Sequence, residues 1–315
     1  MEMNQKEATA CLRALVAVAR ADGTITAEER ASLEAALAAL PAGADLPKLL
    51  DETPDFERAL GEVTSEVART QLWQSAYGLV HADGEASSEE QKLIDRMRAA
   101  FSIDPAQASI TERLLSEAKD TVLPSNIAAI SDPARRQKEI DQDVIKYSVF
   151  SAVLGAFPVP GLAIATDFAI VALQVKLIRD IGQYWGHTVD RQAARTLLAG
   201  LGLGTGARIA VSNLAKLVPV WGSAFGATTA FATTWALGKI ANRYFEGGRE
   251  IHVGELRKEM KVMEKAGKDE YARHKDAVEA RKKASEAALT ALNQQRKAGT
   301  LSQAEYEKQV AQLVG

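Results

Sequence analysis

One short phrase, written three times, sets most of the limits on this chain. It reads Ala21-Asp22-Gly23-Thr24-Ile25-Thr26-Ala27-Glu28-Glu29, then Ala82-Asp83-Gly84-Glu85-Ala86-Ser87-Ser88-Glu89-Glu90, and finally Gly299-Thr300-Leu301-Ser302-Gln303-Ala304-Glu305. Each copy has a glycine, a Thr or Ser three residues on, and a Glu three further. Glycine accepts the left-handed conformation that ends a helix. Thr26, Ser87 and Ser302 are placed to cap the next helix, with Glu29, Glu90 and Glu305 closing a capping box. The spacing therefore predicts helix–turn–helix units at both ends of the chain.

Composition agrees with a helical protein: 47% of the 315 residues are hydrophobic and only 6% aromatic. Cys11 is the single cysteine, which excludes an intrachain disulfide or a cysteine-based zinc site and suits a reducing compartment. The start Met1-Glu2-Met3-Asn4-Gln5-Lys6 has no basic segment leading into an apolar run, so no secretory signal peptide is expected. The net charge of −3 hides an asymmetry: residues 1–133 carry 12 Lys/Arg against 23 Asp/Glu, and residues 134–315 carry 26 against 18. A basic back half suits an anionic lipid surface or an acidic partner; charge matching within the protein or between copies is the other reading.

The first two phrases lie 61 residues apart, and the match extends into their flanks. Leu12 aligns with Trp73, Val16 with Tyr77, Leu33 with Ile94, Ala36 with Met97 and Leu40 with Phe101. Leu12, Leu15, Val16 and Ala19 form one helical stripe, and Leu33, Ala36, Leu37 and Leu40 the facing one. Residues 1–120 read as two related helical hairpins with connecting helices near 55–64 and 105–119. The Ala-Asp-Gly turns with Glu28-Glu29 and Glu89-Glu90 resemble the TerB family, tellurite-resistance proteins with an all-helical fold; the resemblance covers about residues 5–120. A polar connector, residues 121–143, follows.

From Tyr147 the composition changes. Tyr147 to Thr166 and Leu217 to Gly238 contain no charged residue. Both meet the ~20 residues a membrane span needs, but each is broken, at Pro158-Val159-Pro160-Gly161 and at Pro219-Val220-Trp221-Gly222. Residues 144–248 are therefore expected to form two apolar helical hairpins, with tips at Pro158, Pro160, Gly161, Pro219, Trp221 and Gly222 that dock on or shallowly enter a membrane. Lys146, Lys176, Arg179, Arg191, Arg195, Arg208, Lys216, Lys239 and Arg243 surround them, as contact with anionic headgroups would require. The residues Pro158-x-Pro160-Gly161, Asp167, Gln174, Ile178-Arg179-Asp180-Ile181 and Tyr184-Trp185-Gly186 look like the YcjF-type family. That resemblance implies membrane association and, in some members, a linked GTPase domain; it carries no catalytic residue.

After Gly247-Gly248 comes a charged helical tail, residues 249–291. Leu292, Gly299-Thr300-Leu301-Ser302, Glu305-Tyr306 and Leu313 resemble the SHOCT family, a short helical hairpin associated with assembly, over residues 292–315.

Chemistry-bearing patterns are few. Asp22, Glu28, Asp83 and Glu89 are the candidate ligands for a hard divalent cation such as calcium or magnesium. The alternating oxygen ligands of an EF-hand are missing, capping accounts for Glu29 and Glu90 without an ion, and Asp22 and Asp83 are placed to accept from free turn donors; the structural role is preferred. The loose G-x-G-x-x-A of Gly200 to Ala207 follows no strand signal, so helix packing is preferred to dinucleotide binding. No P-loop, nucleophile elbow or paired-histidine motif is present, and the aromatic interleaving of a nucleic-acid platform is absent. Asp167 is expected to pair with Lys176 or Arg208.

The sequence thus specifies an all-α protein in parts: a TerB-like acidic domain (1–120), the connector, a Gly/Pro-tipped double-hairpin domain, and a charged tail ending in a hairpin. The expected function is a non-enzymatic membrane-associated scaffold at the cytoplasmic face of a bacterial inner membrane, in envelope or metal stress, assembling as a homo-oligomer through its helical hairpins. It would have no catalytic residues, no organic cofactor and no nucleic-acid partner. The alternatives are a soluble helical homo-oligomer and an accessory partner of a separately encoded GTPase.

Overall fold

The computed structural model describes residues 5–21, 23, 55–81, 86–120, 123–156, 163–203 and 222–313. Among them are eleven helices and no strand. They are α1 (Gln5–Ala19), α2 (Phe56–Gly61), α3 (Glu66–His81), α4 (Ser88–Ala100), α5 (Pro105–Asp120), α6 (Pro133–Gly155), α7 (Ala163–Tyr184), α8 (Arg191–Gly200), α9 (Gly222–Glu246), α10 (Val253–Lys297) and α11 (Gln303–Gln312). The chain divides into two compact units. Residues 1–119 belong to the first, and 120–157, 166–203 and 227–315 make up the second.

In the first unit α1 packs on α2, α3 and α4. Its stripe of Leu12, Leu15, Val16 and Ala19 is buried, together with Trp73, Ile94, Met97 and Phe101 from the second copy of the repeat. Gly23 has φ +94°, the left-handed stop expected of it. Ser87 caps α4 by a full capping box: its hydroxyl accepts from the Glu90 amide at 3.2 Å, and the Glu90 carboxylate accepts from the Ser87 amide at 2.8 Å. The helix expected to follow Thr26 and the turn at Gly84 lie outside the described residues.

The second unit is organised around the long helix α10. Its 45 residues run about 68 Å, unbroken across residues 291–292. The contact with α9 is close, because Gly267 faces the backbone of Ala232. Phe231 of α9 stacks near Tyr271 and His274 (ring centroids 5.6 and 5.9 Å). On the other side Val144 of α6 fills the space beside Gly238 of α9. α10 then turns at Gly299 (φ +73°), and Ser302 caps α11 by accepting from the Glu305 amide at 3.1 Å.

No described helix is long and apolar enough to cross a membrane. The described parts of the two charge-free stretches are core: Phe150, Val153, Leu154, Phe231, Ala236 and Leu237 are each at most 1% exposed.

Candidate functional site

Three places gather polar groups: the turn region of the first unit, the interior of the second, and the C-terminal hairpin.

In the first unit the N-terminal edge of α3 is closed from another helix. Glu7 of α1, buried, accepts from the backbone amides of Thr64 (2.8 Å) and Ser65 (2.7 Å) and from the Thr64 hydroxyl (3.3 Å). A carboxylate suits the free amides and positive dipole end of a helix N-terminus. Burial, and next the nearby Glu7 charge, push the Cys11 thiol far above its ordinary range, which leaves it an inert core group. On α3 the rings of Trp73, Tyr77 and His81 stack in a ladder, with centroids 5.5 and 4.2 Å apart.

Of the four candidate cation ligands, Asp22, Glu28 and Asp83 lie outside the described residues. Glu89 is exposed and accepts from Lys92 at 2.6 Å, which holds its carboxyl below the ordinary value. Among the described residues no three acidic, histidine or cysteine groups are arranged to hold a metal ion.

In the second unit Asp180 of α7 is the hub. Almost fully buried, it accepts from the Ser125 hydroxyl, from the Tyr147 hydroxyl at 2.8 Å, and from Lys176 through both oxygens at 3.0 and 2.7 Å. Burial and the neighbouring Asp180 carboxylate hold the Tyr147 hydroxyl well above its ordinary range. The partner of Lys176 is thus Asp180, one turn along the same helix and on the same face, rather than Asp167, which lies on the opposite face of α7. Arg179 donates to the carbonyls of Leu123 (2.7 Å) and Val189 (3.1 Å). Gln183 accepts from the Ile127 amide at 2.6 Å and donates to the Ser125 carbonyl at 3.0 Å. The Ile130 amide donates to the Tyr184 carbonyl at 3.1 Å. Residues 123–130 are therefore strapped along α7, one bond after another.

The signature Ile178 to Gly186 thus serves packing. Trp185 donates to Asn242 at 2.8 Å while the Arg136 guanidinium lies 3.6 Å from its ring. Tyr184 donates to Asp143 at 2.9 Å. Burial raises the Asp143 carboxyl above its ordinary value; the Tyr184 hydrogen bond opposes this and the Asp180 charge adds to it.

Four of the nine cations expected to face headgroups have protein partners instead. These are Lys176 and Arg179 as above, Lys239 on Asp141 at 2.6 Å, and Arg243 on Glu255 and Glu259. Arg191 and Arg195 also interact within the protein, and Arg208 and Lys216 lie outside the described residues. So do Pro158, Pro160, Gly161, Pro219 and Trp221, while Gly222 opens α9. The glycines at 200–202 end α8 rather than begin a helix. Gly202 (φ +82°) donates to Ala199 and Leu203 to Leu198 at 2.8 and 2.9 Å, a helix-stop geometry; the rest of that stretch, Gly204 to Ala207, lies outside the described residues.

A third polar cluster closes the C-terminal hairpin. Arg296, 1% exposed, donates to the Leu301 carbonyl at 2.7 Å and to Gln303 at 3.4 Å; Gln303 donates to Glu307 at 2.7 Å, and Tyr306 to Asn293 at 2.9 Å. The sequence assigns Tyr306 only to the hairpin signature and gives Asn293, Arg296 and Glu307 no role, because their spacing across a turn resembles ordinary surface polarity.

No curated protein and no solved structure matches this chain. Residues 8–112 match the family model described as tellurite resistance protein TerB, so the N-terminal unit is a TerB-like helical domain.

Proposed function

We propose that the chain is a non-enzymatic adaptor that works at the anionic cytoplasmic face of a bacterial inner membrane, with its TerB-like unit turned toward a partner. The observation that carries this reading is the division of charge. Residues 1–133 hold 12 Lys/Arg against 23 Asp/Glu, and residues 134–315 hold 26 against 18. A basic body is drawn to anionic headgroups while an acidic one is held off. The family description matched by residues 8–112 supports a setting in tellurite or metal stress. The YcjF-type resemblance of the middle supports membrane association and a GTPase neighbour, and the SHOCT-like end supports assembly through hairpins. The buried polar groups described above hold helices to one another, which supports a binding role over a catalytic one.

The burial of Phe150, Leu154, Phe231 and Leu237 favours peripheral docking over insertion by the described helices. The same burial keeps a second reading in view, a soluble homo-oligomer. Fractionation of expressing cells, with salt and detergent washes of the membrane pellet, separates the two. Recovery in the pellet, released by salt, is expected. Recovery as a monodisperse oligomer in the supernatant at low salt would replace the adaptor reading with the soluble one.

A further inference from the structure

We infer that the membrane-contacting element of the second unit is the outer face of α10 between Lys258 and Lys268, a lysine row that takes anionic lipid headgroups; this rests on the membrane reading above. Between these two residues the exposed positions are Lys258, Lys261, Val262, Lys265, Ala266 and Lys268. At 100° per residue the four lysines fall within an arc of about 80° and span about 15 Å along the axis. No hydrogen bond or ion pair among the described residues engages any of them.

This is not for want of carboxylates nearby. The acidic residues of the same segment are turned to α9. Glu255 and Glu259 take Arg243, and Glu264 accepts from the Thr233 hydroxyl at 3.1 Å. Glu259 and Glu264 are half-buried against α9 and the exposed Asp269 follows the row, so no acidic residue stands between the four ammonium groups. The cations around the apolar hairpins show the opposite arrangement, with Lys176, Lys239 and Arg243 spent on internal pairs.

Val262 lies beside the row and is 66% exposed, the one large hydrophobic residue so exposed among the described residues. Lysines with long apolar stems flanking an exposed aliphatic group form the surface that settles at a headgroup boundary. An acidic protein surface is the competing occupant. Of the exposed carboxylates described in the first unit, Glu57, Glu89 and Glu112 already pair with Arg96, Lys92 and Arg98, while Glu66 and Asp95 carry no ion pair among the described residues. A straight row with no pocket and no interleaved aromatics fits a broad, laterally mobile array of anionic headgroups.

The test is co-sedimentation of the full chain with vesicles of phosphatidylcholine alone or mixed with phosphatidylglycerol. Three proteins are compared: wild type, the row variant Lys258→Gln/Lys261→Gln/Lys265→Gln/Lys268→Gln, and a control variant Lys138→Gln/Lys146→Gln/Lys297→Gln/Lys308→Gln that removes the same charge from exposed sites elsewhere. Helicity is checked by circular dichroism. Wild type should bind only the anionic vesicles and release as salt rises. The row variant should lose about fivefold in partitioning per lysine, on the order of several hundredfold in all, and the control much less. If wild type binds and the row variant binds as tightly as the control, the row is not the contact and the membrane reading stands without it. If wild type ignores anionic vesicles, the membrane reading itself fails. If wild type ignores them but is retained by immobilised polyglutamate while the row variant is not, the occupant is an acidic protein and the lipid assignment is overturned.

Discussion

Gly267→Ala isolates the contact on which the second unit is built. Two opposed terms decide its sign. Replacing an interior helical glycine with alanine gains about 0.8–1.0 kcal/mol from propensity alone. Against this, the new Cβ would lie 2.8 Å from the Ala232 carbonyl oxygen, 2.9 Å from its Cα and 3.2 Å from its carbonyl carbon, where ordinary contact begins at 3.4 Å. All three atoms are backbone, so no rotamer change relieves them and α9 and α10 must part by roughly 0.6 Å. That strains the Phe231–Tyr271–His274 ring contacts and the Thr233–Glu264 hydrogen bond together. Overpacking of this kind sits at the upper end of the usual range, about 3 kcal/mol, so the net loss is about 2 kcal/mol. For a unit of this size that lowers Tm by roughly 4–8 °C, read by circular dichroism of the full chain. Gly238→Ala supplies the comparison. Its Cβ meets the Val144 side chain at 2.4 Å, and Val144→Ala should relieve it, whereas no side-chain trimming relieves Gly267→Ala. A Gly267→Ala protein as stable as wild type, or more so, would refute the close crossing.

Four further outcomes are expected. Ser87→Ala should cost about 1 kcal/mol in thermal stability by opening the capping box of α4; no change would mean the box contributes nothing. Asp180→Asn should cost about 2–4 kcal/mol in chemical denaturation, because it strands Lys176, Tyr147 and Ser125 around a lost carboxylate; a neutral effect would show that the hub is not a stability element. Asp143 has a folded-state pKa above its ordinary 3.8, so the folded state holds its proton more tightly and this group's contribution is full below pH 3.8 and lost as pH rises through the folded value; Asp143→Asn should flatten that decline in a series of melts across acidic pH, and an unchanged slope would contradict it. Millimolar calcium or magnesium should leave the melting of the full chain unmoved if the acidic turns serve as caps, as Ser87 and Glu90 do; a shift growing with the logarithm of ion concentration would point to a site.

How far the sequence foretold the structure depends on the range of the interaction. Local rules served well. The stops at Gly23 and Gly299, the caps at Ser87 and Ser302 and the stripe from Leu12 to Ala19 are each determined by residues within a turn or two, and those elements stand where spacing placed them. Pairings between helices were less legible. Arg179 and Lys239 read as headgroup contacts because they surround the apolar hairpins, yet their partners Leu123 and Asp141 lie 56 and 98 residues away. The candidate site on α10 was hidden for a related reason. A helix rich in both charges looks uniformly solvated until Arg243 and Thr233 are seen to draw Glu255, Glu259 and Glu264 to one side.

The strap along α7 has a practical corollary for anyone cutting the gene. A fragment begun at residue 144, where the apolar composition sets in, would lack the backbone carbonyls and amides that Arg179, Gln183 and Tyr184 grip, and the hydroxyl that Ser125 gives Asp180. It would expose an arginine and a carboxylate on an otherwise oily helix and invite precipitation that says nothing about lipid affinity. A portable piece has to begin no later than Leu123. Duplication or fusion of this unit is then expected to carry that stretch with it, since a copy inherited without its own strap would arrive half-fastened.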